Sequence, residues 1–176
     1  MQEVSVIIPN FNGMAYLDGV LAGLECQTVN NFEVILVDNG SSDGSCAFVS
    51  ARYPWVHLIE LPENFGFCKA VNEGIKASRA PYVLLLNNDI EVTENFIEEM
   101  ISAIRRHPKA FSCAARMIQF HDRDKLDDAG NYYCALGWAF ARGKGKDIHT
   151  YEKEERIFTS CAGAAIYRKK IFERIG

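Results

Sequence analysis

Three short clusters of acidic and amide residues each follow an apolar run that is typical of a buried strand. The clusters are Pro9-Asn10-Phe11-Asn12-Gly13, Asp38-Asn39-Gly40-Ser41-Ser42-Asp43 and Asn87-Asn88-Asp89. Asn, Asp and Gly also form ordinary turns, so any one cluster alone is better explained as a turn. In an open parallel sheet, however, ligands bind beyond the carboxyl ends of the strands. Three clusters at strand ends therefore favour a polar binding site along one edge of a sheet.

The most informative carboxylate is Asp89, which lies just beyond the apolar run 82–86. An unpaired carboxylate at the mouth of a buried strand is costly, and a divalent cation would pair with it. Mg²⁺ or Mn²⁺ is commonly held by one or two carboxylates, while substrate phosphates fill other positions. With a sugar diphosphate, such a metal neutralises the charge that grows as the diphosphate leaves. Asp38, at the end of its own strand, is placed to accept hydrogen bonds from a base N–H or a ribose hydroxyl.

The elements that must position these clusters alternate between strands and helices. Apolar, β-branched runs predict strands at 4–8, 32–37, 56–61 and 82–86. Helical periodicity predicts helices at 17–24, 45–52, 66–77 and 93–106, and Thr93 is expected to be the N-cap of the last of these. After residue 117 the alternation fades, and we expect loops and short hairpins, then a strand at 158–167 and a helix at 168–175. This order predicts an α/β fold with a mainly parallel open sheet and helices on both faces.

Composition and missing motifs exclude several classes of protein. The 176 residues favour a single domain, 1–176, and the net charge of −4 argues against a nucleic-acid binder. Because no apolar run exceeds five residues and the N-terminus lacks a basic stretch, we expect no transmembrane segment, no signal peptide and a cytoplasmic location. G-x-G-x-x-G, Walker and G-x-S-x-G motifs are absent. The six cysteines lack metal-ligand spacing, and we interpret them as small buried residues.

Taken together, the motifs resemble those of family 2 glycosyltransferases of the GT-A fold, in the rhamnosyltransferase-like branch. Five segments carry the resemblance in family order: 4–12, 37–44, 63–67 with Asn72 and Gly74, 84–89, and 161–165 with Arg168 and 172–176. Two positions depart from the pattern. Phe11 stands where the family usually has Tyr, and Asn87 takes the first position of the D-x-D motif.

The resemblance implies a role for each matching residue and a division of the chain into two halves. Residues 1–117 would form the nucleotide-binding half and 118–176 part of the acceptor-side half. Asp89 would hold Mg²⁺ or Mn²⁺ at the diphosphate. The implied nucleotide-binding residues are Pro9, Asn10 and Phe11 around the base, Asp38 on the base, Asn64, Gly66 and Lys69 near the ribose or phosphates, and Asn88.

The implied reaction moves a sugar from a dTDP- or UDP-sugar to a glycan or lipid-linked acceptor, with inversion. In this family the general base belongs to a Glu-Asp pair that follows the last matching segment. We therefore expect the base to lie outside residues 1–176. Without it, we expect sugar transfer by this chain to be weak or absent. A nucleotide-sugar-binding module without turnover is therefore an alternative. A sugar nucleotidyltransferase is disfavoured, because the loop after the first strand is Asn-rich and uncharged.

Two further groups of charged residues keep more than one interpretation. Asp127 and Asp128 would either approach the sugar as a base or form a solvated loop pair, which we favour. Arg142, Lys144 and Lys146 lie among glycines. They would clamp a diphosphate, contact an anionic membrane at its inner face, or form a solvated basic loop.

Overall fold

The computed structural model describes residues 2–175 as a central sheet with helices on both faces and a smaller β-rich part. The longest helix has 12 residues, and none in this range has the length and apolar content to cross a bilayer. The strands are β1 Val4–Asn10, β2 Phe32–Asp38, β3 His57–Glu60, β4 Tyr82–Leu86, β5 Ser112–Ala114, β6 Met117–Ile118, β7 Leu126–Asp128, β8 Asn131–Tyr133, β9 Ala139–Ala141 and β10 Ala164–Arg168. The helices are α1 Met14–Glu25, α2 Ser45–Arg52, α3 Phe67–Ala77, α4 Phe96–Arg106 and α5 Lys169–Ile175.

The main sheet has six strands in the order β3-β2-β1-β4-β10-β5. The first four are parallel, and β10 runs antiparallel to both of its neighbours, so the prediction of a mainly parallel sheet is confirmed. The chain moves outward from β1 to β3 and then returns to place β4 on the other side of β1. Such a reversal creates a crevice between the carboxyl ends of β1 and β4. The register pairs Asn10 with Asp38 at that same edge.

Alternating side chains of β1 fill two cores, one on each face of the sheet. Val6 and its even-numbered neighbours pack with α1, α2 and α4, whose stripes supply residues such as Leu17 and Ile97. Ile7 packs on the opposite face with Val71 of α3 and with Phe172 of α5. A strand that is covered on both faces must be apolar at nearly every position, which explains the continuous runs in the sequence.

Three local predictions from the sequence are wrong. Helix α4 begins at Phe96 with Asn95 at the N-cap position, and the Thr93 hydroxyl donates to the Asn95 side chain instead of accepting from an amide of the first turn. The strand expected at 158–167 begins at Ala164, where pairing with β4 starts, and the short edge strand β5 was not expected. None of the six cysteines is fully buried, and Cys26 and Cys68 are exposed.

Residues 117–141 form two small two-stranded sheets, β6–β7 and β8–β9. This agrees with the expected loops and short hairpins.

Candidate functional site

The amide of Asn10 joins the three polar clusters at the carboxyl edge of the sheet. Its Nδ2 donates to Asp38 Oδ1 at 2.8 Å, and its Oδ1 accepts from Asn88 Nδ2 at 2.7 Å. Asn10 is the last residue of β1, Asp38 ends β2, and Asn88 follows β4. The clusters that are far apart in sequence therefore meet through one side chain, as their positions at strand ends predicted.

Asp38 is held inside this cluster rather than at its surface. Only 2% of the residue is exposed, and its carboxylate also accepts hydrogen bonds from the Ser41 amide at 2.8 Å and the Ser41 hydroxyl at 2.6 Å. Burial alone would raise the pKa of Asp38, but the hydrogen bonds from Ser41 and Asn10 outweigh it and hold that pKa below the usual value. Asp38 is therefore a charged anchor for Asn10 at neutral pH.

A second set of amide contacts holds the 61–66 loop against the loop that follows β2. Asn39 Nδ2 donates to Asn64 Oδ1 at 2.8 Å, and Asn39 Oδ1 accepts from the Phe65 amide at 3.0 Å. Gly40 has φ +77°, and a Cβ there would lie 2.6 Å from Glu63 Cα, so only glycine fits this approach. Asn39 thus positions the segment that carries Asn64.

These loops enclose an open cleft of about 390 Å³. Seven of the nine predicted site residues line it, and four further residues were missed. The lining residues are Pro9, Asn10, Phe11, Asn39, Asn64, Gly66, Phe67, Ala70, Asn87, Asn88 and Asp89. Asn39 and Asn87 could have been found from their places inside the polar clusters, whereas Phe67 and Ala70 had no signal beyond their position at the start of α3.

The two predicted residues that do not line the cleft are Asp38 and Lys69. Asp38 lies behind Asn10, as its burial indicates. Lys69 Nζ lies 2.7 Å from Glu73 Oε1 along the exposed surface of α3. Direct contact of either residue with a nucleotide stays a prediction.

Asp89 lies at the cleft on the surface of the protein. It is exposed, so the argument that burial makes its charge costly does not hold. Within residues 2–175 its carboxylate forms no hydrogen bond or ion pair, and no three His, Cys, Asp or Glu residues come together as a metal site. One free carboxylate that directly follows two amide side chains fits a hard cation that takes its other ligands from water and phosphate. Asp89, with Asn87 and Asn88 beside it, could hold Mg²⁺ or Mn²⁺ on these terms.

The favoured interpretation of the Asp127–Asp128 pair as a solvated loop is wrong for Asp128, which is buried in β7. Burial raises the pKa of Asp128, and the charge of Asp127 adds to this, while a hydrogen bond from the Gly130 amide acts in the opposite direction. Neither residue lines the cleft. Asp127 instead forms an ion pair of 3.3 Å with Lys144.

The basic residue Arg142 is also buried, so it is neither part of a solvated loop nor an open phosphate clamp. Its guanidinium donates to the Ala129 carbonyl at 3.0 Å, pairs with Glu155 and lies 3.8 Å from the ring centroid of Tyr151. A buried guanidinium is tolerated when its donors are satisfied in this way. Arg142 therefore holds the smaller part of the fold together.

Comparison with known proteins identifies relatives of this chain. The Glycosyl transferase family 2 model matches residues 5–176. Glycosyltransferase GlyG of Streptococcus pneumoniae is 30% identical over 133 residues, which are 74% of this chain and 42% of GlyG.

Two solved structures share the fold. S. aureus TarS 1-349 in complex with UDP-GlcNAc has a TM-score of 0.71 at 20% identity, over 98% of this chain and 47% of that one. Mannosyltransferase PcManGT from Pyrobaculum calidifontis, in complex with GDP-Man and Mn²⁺, has a TM-score of 0.70 at 17% identity, over 99% of this chain and 46% of that one. The chain spans less than half the length of GlyG and of both solved chains.

Proposed function

The chain belongs to glycosyltransferase family 2 and has the GT-A fold, and we propose that it transfers a sugar from a dTDP- or UDP-sugar to a glycan or lipid-linked acceptor. The complexes of TarS with UDP-GlcNAc and of PcManGT with GDP-Man support a nucleotide-sugar donor. We further propose a role in polysaccharide biosynthesis and a cytoplasmic location.

The observation that carries this proposal is the cleft at the ends of β1, β2 and β4. There the amide of Asn10 is fixed between Asp38 and Asn88, and Asp89 stands free beside them. We assign Pro9, Asn10 and Phe11 at the end of β1 to the base, as the family resemblance implies, and all three line the cleft. Asn64 and Gly66, on the loop before α3, are assigned to the ribose or phosphates on the same ground.

Asp38 and Lys69 receive conditional roles. Asp38 acts mainly by holding Asn10, since both of its carboxylate oxygens already accept hydrogen bonds. A direct bond from Asp38 to a base requires Asn10 or Ser41 to move. Lys69 reaches a phosphate only after leaving Glu73, which is a small cost for an exposed ion pair.

We propose that Asp89 holds a divalent cation, in agreement with the Mn²⁺ in the PcManGT complex. A bound Mg²⁺ or Mn²⁺ would supply positive charge to the departing diphosphate. The chain's own contribution is to fix the position of Asp89 through the hydrogen bond between Asn88 and Asn10, and to exclude water from the base with the Phe11 ring.

Inversion is proposed from the family's single displacement, in which the acceptor hydroxyl attacks the anomeric carbon opposite the diphosphate. A base must take the hydroxyl proton, which typically adds about 10²- to 10⁴-fold to the rate. Among residues 2–175, Asp89 is the one carboxylate that lines the cleft. This favours a second candidate function, donor binding without turnover by this chain.

Titration calorimetry with UDP and dTDP tests the donor site. We expect binding in Mn²⁺, weaker binding in EDTA, and a loss of about tenfold or more in Asp89→Asn, corresponding to at least about 1.4 kcal/mol. Asp124→Asn is the matched control, because Asp124 is exposed and lies away from the cleft. Equal affinity of the wild type and Asp89→Asn would refute the metal role. Product formation from UDP-GlcNAc and a glycan acceptor would exclude the binding-only alternative.

A further inference from the structure

Six large apolar side chains that are exposed to solvent lie on one hairpin or stack against it. We call residues 131–141, together with Phe158, the aromatic hairpin. It comprises β8, β9 and the turn between them, and Leu136 and Trp138 at the turn are 83% and 73% exposed. Tyr132, Tyr133, Phe140 and Phe158 are exposed as well. These side chains lie on both faces of the hairpin and at its turn, because Tyr132 pairs with Phe140 and its neighbour Tyr133 points to the other face. An exposed apolar cluster of this kind marks an interaction site.

The aromatic hairpin is ordered by its own contacts rather than by burial. The rings of Tyr133 and Phe158 stack with centroids 4.8 Å apart and planes 11° apart. At the tip, the Cys134 amide donates to the Trp138 carbonyl at 2.9 Å, and the Gly137 amide donates to Cys134 at 3.0 Å. The tip therefore presents apolar side chains while these amides are satisfied internally, which lowers the cost of entering a medium poor in water.

The charged residues within the sequence segment that holds the aromatic hairpin are all basic, although Asp127 and Asp147 flank it. Segment 129–146 contains three basic residues and no acidic residue. Arg142 is buried, whereas Lys144 and Lys146 are exposed directly after β9. The ion pair between Lys144 and Asp127 is a surface contact of 3.3 Å and is worth little in water. Two lysines next to an apolar tip complement an anionic surface.

We propose that the aromatic hairpin inserts into the interfacial layer of an anionic lipid bilayer. Leu136 would enter the acyl boundary, while Trp138 and Tyr133 occupy the headgroup level that amphipathic rings prefer. Lys144 and Lys146 would contact the anionic headgroups. A carbohydrate partner fits less well, because the most exposed side chain, Leu136, offers neither a ring nor a polar atom. A second copy fits less well because it would bring like charges together.

Vesicle co-sedimentation of the 176-residue chain tests this proposal. We compare phosphatidylcholine vesicles with vesicles that also contain phosphatidylglycerol. The wild type is expected to bind the anionic vesicles, and Leu136→Ser/Trp138→Ser is expected to bind at least about tenfold less, since each side chain buries substantial apolar surface. Phe120→Ser, which replaces an aromatic outside the hairpin that is 52% exposed, is the control and keeps wild-type binding.

The electrostatic part is tested separately with Lys144→Ala/Lys146→Ala. Loss of both lysines predicts a fall in binding of about 30-fold, or about 2 kcal/mol, that is confined to anionic vesicles. A Trp55→Phe background leaves Trp138 as the reporter, because the chain has two tryptophans. Its emission should shift to the blue on binding.

Several results would overturn the proposal. The first is that the wild-type protein stays in the supernatant with both kinds of vesicle. The second is that the wild type and the Leu136→Ser/Trp138→Ser variant bind vesicles equally. The third is that Trp138 fluorescence changes with soluble glycan, or with protein concentration, when no lipid is present. None of the hairpin residues lines the cleft. UDP binding should therefore be the same in the double variant, and a failure here is distinguishable from a failure of donor binding.

Discussion

Replacing Gly13 by alanine would place a methyl group inside the contact that joins β1 to β4. A Cβ at this position would lie 2.1 Å from Asn88 Nδ2 and 2.3 Å from Asn10 Oδ1, the two atoms of the 2.7 Å hydrogen bond. Both distances are far below van der Waals contact, so the bond must break. The backbone of Gly13 has φ −102° and ψ 19°, which alanine adopts without strain. The expected effect therefore comes from the contact and not from the backbone.

The cost can be worked from the atoms that lose their partners. Asn10 is 2% exposed, and leaving its Oδ1 without a donor costs about 1–3 kcal/mol. For a chain of this length that is a fall of about 3–10 °C in Tm. Because Asn88 precedes Asp89, we also expect UDP affinity in Mn²⁺ to fall by about tenfold, or about 1.4 kcal/mol.

Differential scanning calorimetry and UDP titration measure both effects, with Gly19→Ala as the control. Gly19 lies in α1 with no atom within 4 Å of its would-be Cβ, so alanine there should stabilise by about 0.5–1 kcal/mol. Adding Asn88→Ala to Gly13→Ala removes one of the two clashing atoms, and both single variants lose the same hydrogen bond, so the double variant should lose less than the sum of the single losses. A Gly13→Ala protein with wild-type Tm and wild-type UDP affinity would refute the reasoning.

Three further predictions concern other parts of the molecule. Asn39→Ala should lower UDP affinity about tenfold, because two hydrogen bonds of about 1 kcal/mol each hold the 61–66 loop. Faster hydrogen exchange of the amides in that loop should accompany the lower affinity. The raised pKa of Asp128 means that the folded state binds its proton more tightly than the unfolded state, so the contribution of Asp128 to stability falls as pH rises above its ordinary value of about 3.8. Asp128→Asn should therefore gain stability relative to the wild type as the pH is raised through this range in urea titrations, and a difference between the two proteins that does not change with pH would contradict the assignment. Arg168→Met should lower the free energy of unfolding in urea by about 2–4 kcal/mol, because the guanidinium donates hydrogen bonds to the carbonyls of Ile104, His107 and Ala110 at and just after the end of α4. UDP binding should stay unchanged, because the cleft lies at the other end of the sheet.

The parts of the fold that could be predicted from the sequence are those fixed by local pattern. Strands covered on both faces require nearly continuous apolar runs, and β1, β2 and β4 were found for that reason. The start of α4 was misplaced because Thr93 and Asn95 both suit an N-cap, and only the folded geometry selects between them. Strand β5 has three residues and is defined by pairing with β10, which no local pattern reveals.

The candidate site divides in the same way. The location of the cleft could be predicted because parallel strands bring their carboxyl ends to one edge, which holds for Asn10, Asn88 and Asp89. The depth of each side chain could not be predicted, since burial of Asp38 depends on how the Ser41 loop folds back over it. The role of Asn39 was missed because its partner, Asn64, lies 25 residues away in sequence.

The central amide of Asn10 constrains how this edge of the protein can change during evolution. Its side-chain nitrogen can only donate a hydrogen bond and its side-chain oxygen can only accept one. Asp38 is the acceptor that the nitrogen requires, and the Asn88 amide is the donor that the oxygen requires. An aspartate in its place would set two negative charges side by side, and a leucine would leave the Asn88 amide without its acceptor and Asp38 with hydrogen bonds from Ser41 alone. Substitutions at positions 38 and 88 should therefore be accepted mainly together with one at position 10, so these three positions are expected to covary among homologous sequences as a single unit.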